Sequence, residues 1–237
     1  MLLVSCTHER LHAQDESLSL SLYGGLAAGY APWKSYNTFR KQYNTVNESS
    51  LKSKLGSLSE QYGYKLGMDF FVANHYYSSV EWNHLSAKAG AEFTNGSKRF
   101  FKSQTNAINC YVGWKQFTGK GAWVLATGFG VVFGRINGWV RFADKTDYYN
   151  TQGFSGEFSD VAIGIPVKFD YEHKISEKFG WKFGVQYVYY SAPSKDGMHN
   201  VFGTNTAYAV GLGDKIVKLD VSSFTLQAGI TFNLFSE

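Results

Sequence analysis

The stretch VAIGIPVKFDYEH, residues 161–173, decides the fold. Val161, Ile163, Ile165, Val167, Phe169 and Tyr171 take every second position, and between them stand Ala162, Gly164, Pro166, Lys168, Asp170 and Glu172. Successive side chains of a strand point to opposite faces, so the alternation predicts a strand with one large apolar face and one small or charged face. A soluble sheet packs its apolar face inward. Whether this sheet does so depends on whether the pattern repeats around a closed ring.

Working outward in both directions, the same alternation predicts strands over 17–31, 58–73, 76–93, 105–117, 122–135, 180–191 and 221–235. In the second, Tyr62, Tyr64, Leu66, Met68, Phe70 and Val72 oppose Gly63, Lys65, Gly67 and Asp69; in the third, Val80 and Trp82 oppose Glu81 and Asn83. In the seventh, Trp181, Phe183, Val185, Tyr187 and Tyr189 oppose Lys182, Gly184 and Gln186. Asn74-His75, the TGKG of 118–121 and the SEKF of 176–179 read as short turns. The polar stretch 33–57, the basic TNGSKRFFKS of 94–103 and the segments 136–158 and 192–218 read as long loops, the last with an accessory strand near 206–210.

The composition agrees with an all-β chain. The 237 residues accommodate one large domain or two small ones. Charged residues are 18% of the chain, below the roughly 25% of soluble domains. Aromatics reach 17%, and 25 glycines stand against 3 prolines, which suits close-packed strands with aromatic rims. No run of about 18 apolar residues exists, which excludes a membrane-spanning helix. The mean hydropathy of −0.25 says little about a barrel, whose alternating strands average out. A net charge of +4 without a basic stripe interleaved with stacking aromatics argues against nucleic acid as a partner. Cys6 and Cys110 are too far apart and too unlike in context to read as a disulfide scaffold or metal site, and no cofactor is expected.

Eight strands whose connections alternate long and short have the layout of an outer-membrane barrel. Inside a bilayer every backbone N–H and C=O must be paired, so the sheet has to close. The apolar face then lies outside, in lipid, and an eight-stranded ring encloses just enough space for its own side chains. The predicted interior holds Lys65, Asp69, Glu81, Lys168, Asp170, Glu172, Lys182 and Gln227, charges of both signs whose pairing offsets their desolvation. Trp114, Phe117, Trp123, Phe179, Trp181 and Phe235 near the short turns, and Tyr30, Trp33, Tyr62, Phe93, Phe133 and Tyr189 near the loops, read as two aromatic girdles.

From Ser17 onward the chain resembles the small eight-stranded outer-membrane proteins of the OmpX and OmpA-barrel type, including the PorT-like barrels. The ending QAGITFNL, with Gln227, Gly229, Phe232 and Leu234, looks like the assembly signal of these proteins, although Ser236-Glu237 follow Phe235 where the family often ends on the aromatic. The resemblance implies an all-β, eight-stranded antiparallel up-and-down transmembrane barrel over 17–237, with short periplasmic turns and long extracellular loops. It implies residence in the outer membrane of a Gram-negative bacterium and folding by the barrel assembly machinery, but no particular activity. Residues 1–16 read as an export remnant or lipoprotein-like leader. Leu3-Val-Ser-Cys6 resembles a lipobox with Cys6 as the lipidated residue; Leu11-His-Ala-Gln14 resembles a signal-peptide end; a start codon placed inside a longer signal is the third reading.

Some barrels of this size modify lipid A, using Ser, His and a carboxylate at the rim. Of His75, His84, His173 and His199, only His84 and His199 lie toward the loop side, and the His-x-Ser-Asn element of a deacylase is lacking. The reading is therefore non-enzymatic, structural or interacting through loops. The basic loop residues Lys34, Arg40, Lys41, Lys98, Arg99 and Lys102 suit phosphorylated lipopolysaccharide, and an unknown protein partner is left open. Three alternatives stand beside this: an accessory barrel of a secretion system, a lipid-A-modifying enzyme, and a soluble lipocalin-like carrier. The last predicts an apolar interior, against the Lys168, Asp170 and Glu172 face.

Overall fold

The computed structural model describes residues 18–72, 75–145, 156–191, 199–200, 219 and 222–236. The opening stretch lies in a strand, and the alternation does in space what it does in sequence. Ile163, Ile165, Val167 and Phe169 are exposed while Ala162, Lys168 and Asp170 are buried.

In chain order the elements are β1 (Leu18–Tyr30), α1 (Lys34–Val46), a 3-10 turn (Glu48–Ser50), β2 (Leu51–Ser53), β3 (Glu60–Val72) and β4 (Tyr76–Phe93). Then come β5 (Lys98–Thr118), β6 (Gly121–Arg141), β7 (Gly156–Lys174), β8 (Phe179–Ser191), β9 (His199–Asn200) and β10 (Ser223–Ser236). Neighbours pair antiparallel in the order β1-β3-β4-β5-β6-β7-β8-β10, and β10 pairs back onto β1 from Ser19↔Ser236 to Tyr30↔Phe224, closing a ring of eight. A closed ring leaves no edge of unpaired backbone groups. Its outside carries a belt that includes Leu26, Leu66, Val80, Val112, Leu125, Phe129, Ile165 and Ile230, all exposed, while its inside carries the charges. Exposing so much apolar surface is untenable in water and natural in lipid, which rules out the soluble carrier.

The strands are unequal. β1, β3, β8 and β10 span 13 or 14 residues, whereas β4 to β7 span 18 to 21. Four neighbouring strands therefore rise past the rest as a curved tongue at the loop end, because about 9–11 residues suffice to cross the hydrocarbon. This corrects the reading of 94–103 as a basic loop. Phe93 N–H bonds Ser97 O at 2.8 Å across a tight turn with Gly96 at φ 84, and Lys98, Arg99 and Lys102 belong to β5. β6 and β7 likewise extend into the predicted loop of 136–158.

A second correction concerns 33–57. Lys34, Arg40 and Lys41 lie on α1, not in a loop, because Tyr36, Phe39 and Tyr43 recur at helical spacing and bury together. The accessory strand near 206–210, Cys6 and the leader of 1–16 lie outside the described residues.

Candidate functional site: the barrel interior and its capped mouth

The inward positions of β3, β4, β7 and β8 bring together all seven charged residues read as interior: Lys65, Asp69, Glu81, Lys168, Asp170, Glu172 and Lys182. The contacts cross the lumen from wall to wall. Lys168 of β7 binds the Glu81 carboxylate of β4, and Lys182 of β8 reaches Asp69 of β3 at 2.5 Å. Lys65 lies 2.9 Å from Glu81 and donates to Gln186 Oε1 at 2.5 Å. Asp170 sits 3.5 Å from both Lys168 and Lys182 and accepts a bond from Gln227 at 2.6 Å.

Lys115 was not singled out by the sequence, and it completes the set. Its ammonium is 2.6 Å from Glu172, which is also 3.2 Å from Lys182. Four lysines thus face four acidic side chains in one ring-spanning cluster, a balance of opposite charge types that offsets the cost of burying them. Aromatic hydroxyls and faces supply the remaining contacts. Tyr77 donates to Asp69 at 2.5 Å and accepts from Lys168 at 2.8 Å. Lys182 lies over the Tyr23 ring at 4.1 Å and Lys168 over Tyr111 at 4.4 Å. Room for these groups comes from glycine: a Cβ on Gly67 would stand 2.3 Å from the Tyr23 ring, and one on Gly184 would strike Asp170.

Above the cluster the interior mixes apolar side chains such as Leu85, Val132 and Val188 with amides and hydroxyls. There a cavity of about 20 Å³, space on the scale of a water molecule, lies among Gln61, Asn83, Thr105, Gln186 and Tyr190. At the mouth lies α1, whose Tyr36, Phe39 and Tyr43 share a buried cluster with Ala87, Ala89 and Phe101 on the inner side of the tongue. Phe101 of β5 meets Tyr36 and Phe39 edge-on at 5.7 Å each, and the Arg99 guanidinium lies 5.4 Å over both Tyr43 and Phe101. Asn44 exchanges two hydrogen bonds with the Leu55 backbone, at 2.8 and 3.1 Å, and Tyr36 donates to Gly56 O at 3.1 Å. Burial pushes the Tyr36 and Tyr43 hydroxyls above their usual range.

Several expected roles change with this geometry. Arg99 points inward into the cap, and Lys98 lies 3.6 Å from Glu92, so the basic residues of this segment are not all without acidic neighbours. Lys52 at 3.1 Å, together with Lys98, holds the Glu92 carboxyl below the usual carboxylate range. Trp33 is fully buried and Phe93 packs on the cap core, so neither belongs to a girdle. Phe117 faces inward against Phe71 with ring centroids 5.1 Å apart, and leaves the other girdle too. Tyr30, Tyr62, Phe133, Tyr189, Trp114, Trp123, Phe179 and Trp181 do lie on the outer surface. His84 stands on the outer rim, stacked on Tyr64 at 5.1 Å with its Nδ1 2.8 Å from Asn106 Oδ1. Of the ending motif, Gln227 faces inward while Phe232 and Leu234 face out.

No protein-family model and no curated protein matches this chain. Among solved structures it is similar to the outer membrane protein OprG from Pseudomonas aeruginosa, with a TM-score of 0.50 at 10% identity over 92% of this chain and 97% of that one. It is also similar to Ail, the attachment invasion locus protein of Yersinia pestis, solved in complex with the heparin analogue sucrose octasulfate. There the TM-score is 0.45 at 11% identity, over 92% of this chain and 99% of that one. At such identities the likeness concerns the fold, and the fold is that of the small eight-stranded outer-membrane barrels.

Proposed function

We propose that this chain is a sealed, non-enzymatic barrel of the Gram-negative outer membrane that acts through the structured surface at its extracellular end. The observation that carries the reading is the filled lumen: a cluster of four lysines and four acidic side chains spans it, and the apolar side chains of α1 pack inside the wall above. A barrel filled in this way is built to hold a surface in place rather than to pass solutes. The tongue of β4 to β7 and the outer face of α1, with exposed Lys34 and Lys41, form that surface. Its positive charge fits phosphorylated lipopolysaccharide. The Gln227, Gly229, Phe232 and Leu234 motif on β10 serves as the signal for the barrel assembly machinery, and a Phe232→Ala/Leu234→Ala variant should accumulate unfolded before insertion.

Reconstitution in planar bilayers tests the sealed reading, with lipid-A mass spectra of a deletion strain as its companion. The proposal requires no steady conductance and unchanged lipid-A masses. Reproducible conductance steps, or altered acylation of lipid A, would overturn it.

A further inference from the structure

Just above the charged cluster, a buried carboxamide in the lumen stands without a hydrogen bond. Asn83 of β4 faces inward beside Lys65 of β3, is only 7% exposed, and finds no partner for its Oδ1 among the described residues. Buried polar groups in folded proteins pair with protein or with ordered water, because an unpaired one carries its full desolvation cost.

The surroundings of Asn83 suit a water. The cavity of about 20 Å³ that it lines is also lined by Thr105 of β5, Gln186 of β8 and Thr225 of β10. All three are more than nine-tenths buried. One bound water needs roughly 10–15 Å³ and two to four polar partners, and this cavity meets both conditions. Val132 and Val188 supply apolar lining, which limits the number of polar contacts and so the number of waters.

Lys65 sets the hydrogen-bond roles. An ammonium only donates, so Lys65 holds the Gln186 carboxamide with its Oε1 toward itself, at 2.5 Å. The Gln186 N–H groups remain as donors on the other side. Asn83 supplies the acceptor, since a half-turn of its carboxamide presents the oxygen on either side. A water between them accepts from Gln186 and donates to Asn83, and the Thr105 and Thr225 hydroxyls complete its shell.

We propose that this cavity is a binding site for a single, long-lived water that joins β4 to β8 across the lumen. It extends the charged cluster by a neutral link that runs from Glu81 through Lys65, Gln186 and the water to Asn83. The inference rests on the filled lumen of the reading above and is independent of what the outer surface binds.

The test is a pair of water-selective NMR spectra, recorded by laboratory-frame and rotating-frame cross-relaxation on the folded protein in detergent micelles. It compares the parent with Asn83→Leu and Ser21→Ala, each shown to be folded by its gel shift before boiling. In the parent, backbone amides around Asn83 and Thr105 should contact the water line with opposite sign in the two spectra. That sign pattern marks a water held in place, whereas hydrogen exchange gives the same sign in both. Asn83→Leu keeps the branched shape and removes both polar ends, so the contacts should be lost. Ser21 is buried on the inner face beside Asp69, outside the cavity lining, and Ser21→Ala should leave the contacts unchanged. Contacts absent from the parent, kept in Asn83→Leu, or lost equally in Ser21→Ala overturn the site and leave the filled lumen standing. Should Asn83→Leu not fold, the parent spectra decide alone. Contacts between the water line and amides along the whole lumen overturn the filled lumen and this site together.

Discussion

Replacing Glu81 by Gln removes one charge from the centre of the lumen while keeping the shape of the side chain. Glu81 is the meeting point of Lys65, at 2.9 Å, and Lys168. Without it, Lys65, Lys115, Lys168 and Lys182 face only Asp69, Asp170 and Glu172. At an effective dielectric constant of about 20, each contact near 3 Å is worth on the order of 5 kcal/mol, and relief of the carboxylate's own desolvation opposes that loss. Removing one partner of a buried pair leaves a net cost of about 3–5 kcal/mol. The assay is urea unfolding of the barrel in phospholipid vesicles, followed by tryptophan fluorescence. Glu92→Gln is the control, because its partner Lys52 is exposed and such pairs contribute under about 1 kcal/mol. Adding Lys168→Met to Glu81→Gln restores the balance at three against three, so the double variant should cost about 2 kcal/mol less than the sum of the singles. If Glu81→Gln costs no more than Glu92→Gln and the two singles simply add, the cluster does not hold the lumen together.

Three further outcomes follow from the same geometry. Ile165→Arg places a charge on the lipid face, where Ile165 is 60% exposed, and should cost about 2–4 kcal/mol and lower the inserted fraction in a vesicle-flotation assay. Gly67→Ala drives its Cβ into the Tyr23 ring above Lys182 and should cost about 1–3 kcal/mol in the urea assay. Gly56→Ala meets only Ala89 at 3.7 Å and should be silent there. Phe101→Ala empties the cap between Tyr36 and Phe39 and should speed proteolysis of 34–57 in intact vesicles while leaving the gel shift of the barrel unchanged.

The barrel wall was legible because a strand in lipid must alternate between a wholly apolar face and whatever fills the lumen. The opening stretch shows this at Lys168, Asp170 and Glu172, whose inward direction the alternation alone specifies. Lys115 obeyed the same parity and lacked only the local company of other charges that drew attention to Lys168. Beyond the membrane the rule lapses. In β5 the inner Arg99 and Ser103 and the outer Lys98 and Lys102 are polar alike, so the strand reads as a loop although its backbone continues. α1 was hidden for another reason. Its first residues lack a side-chain cap, with Trp33 at φ 24, and Asn37, Thr38, Asn44 and Thr45 dilute the pattern. The Tyr36, Phe39 and Tyr43 spacing was the available signal, and its meaning depended on Phe101, which is remote in sequence. Which acid met which base across the lumen was likewise set by ring closure and register.

The central claim is that the ring is closed with its apolar face in lipid. It is tested most directly by fractionating cells and running the membrane extract on a denaturing gel with and without boiling. The account predicts a band in the outer-membrane fraction that migrates faster before boiling and shifts to the mobility of the unfolded chain after it. A protein found in the soluble fraction with a single mobility would contradict the assignment of the two faces.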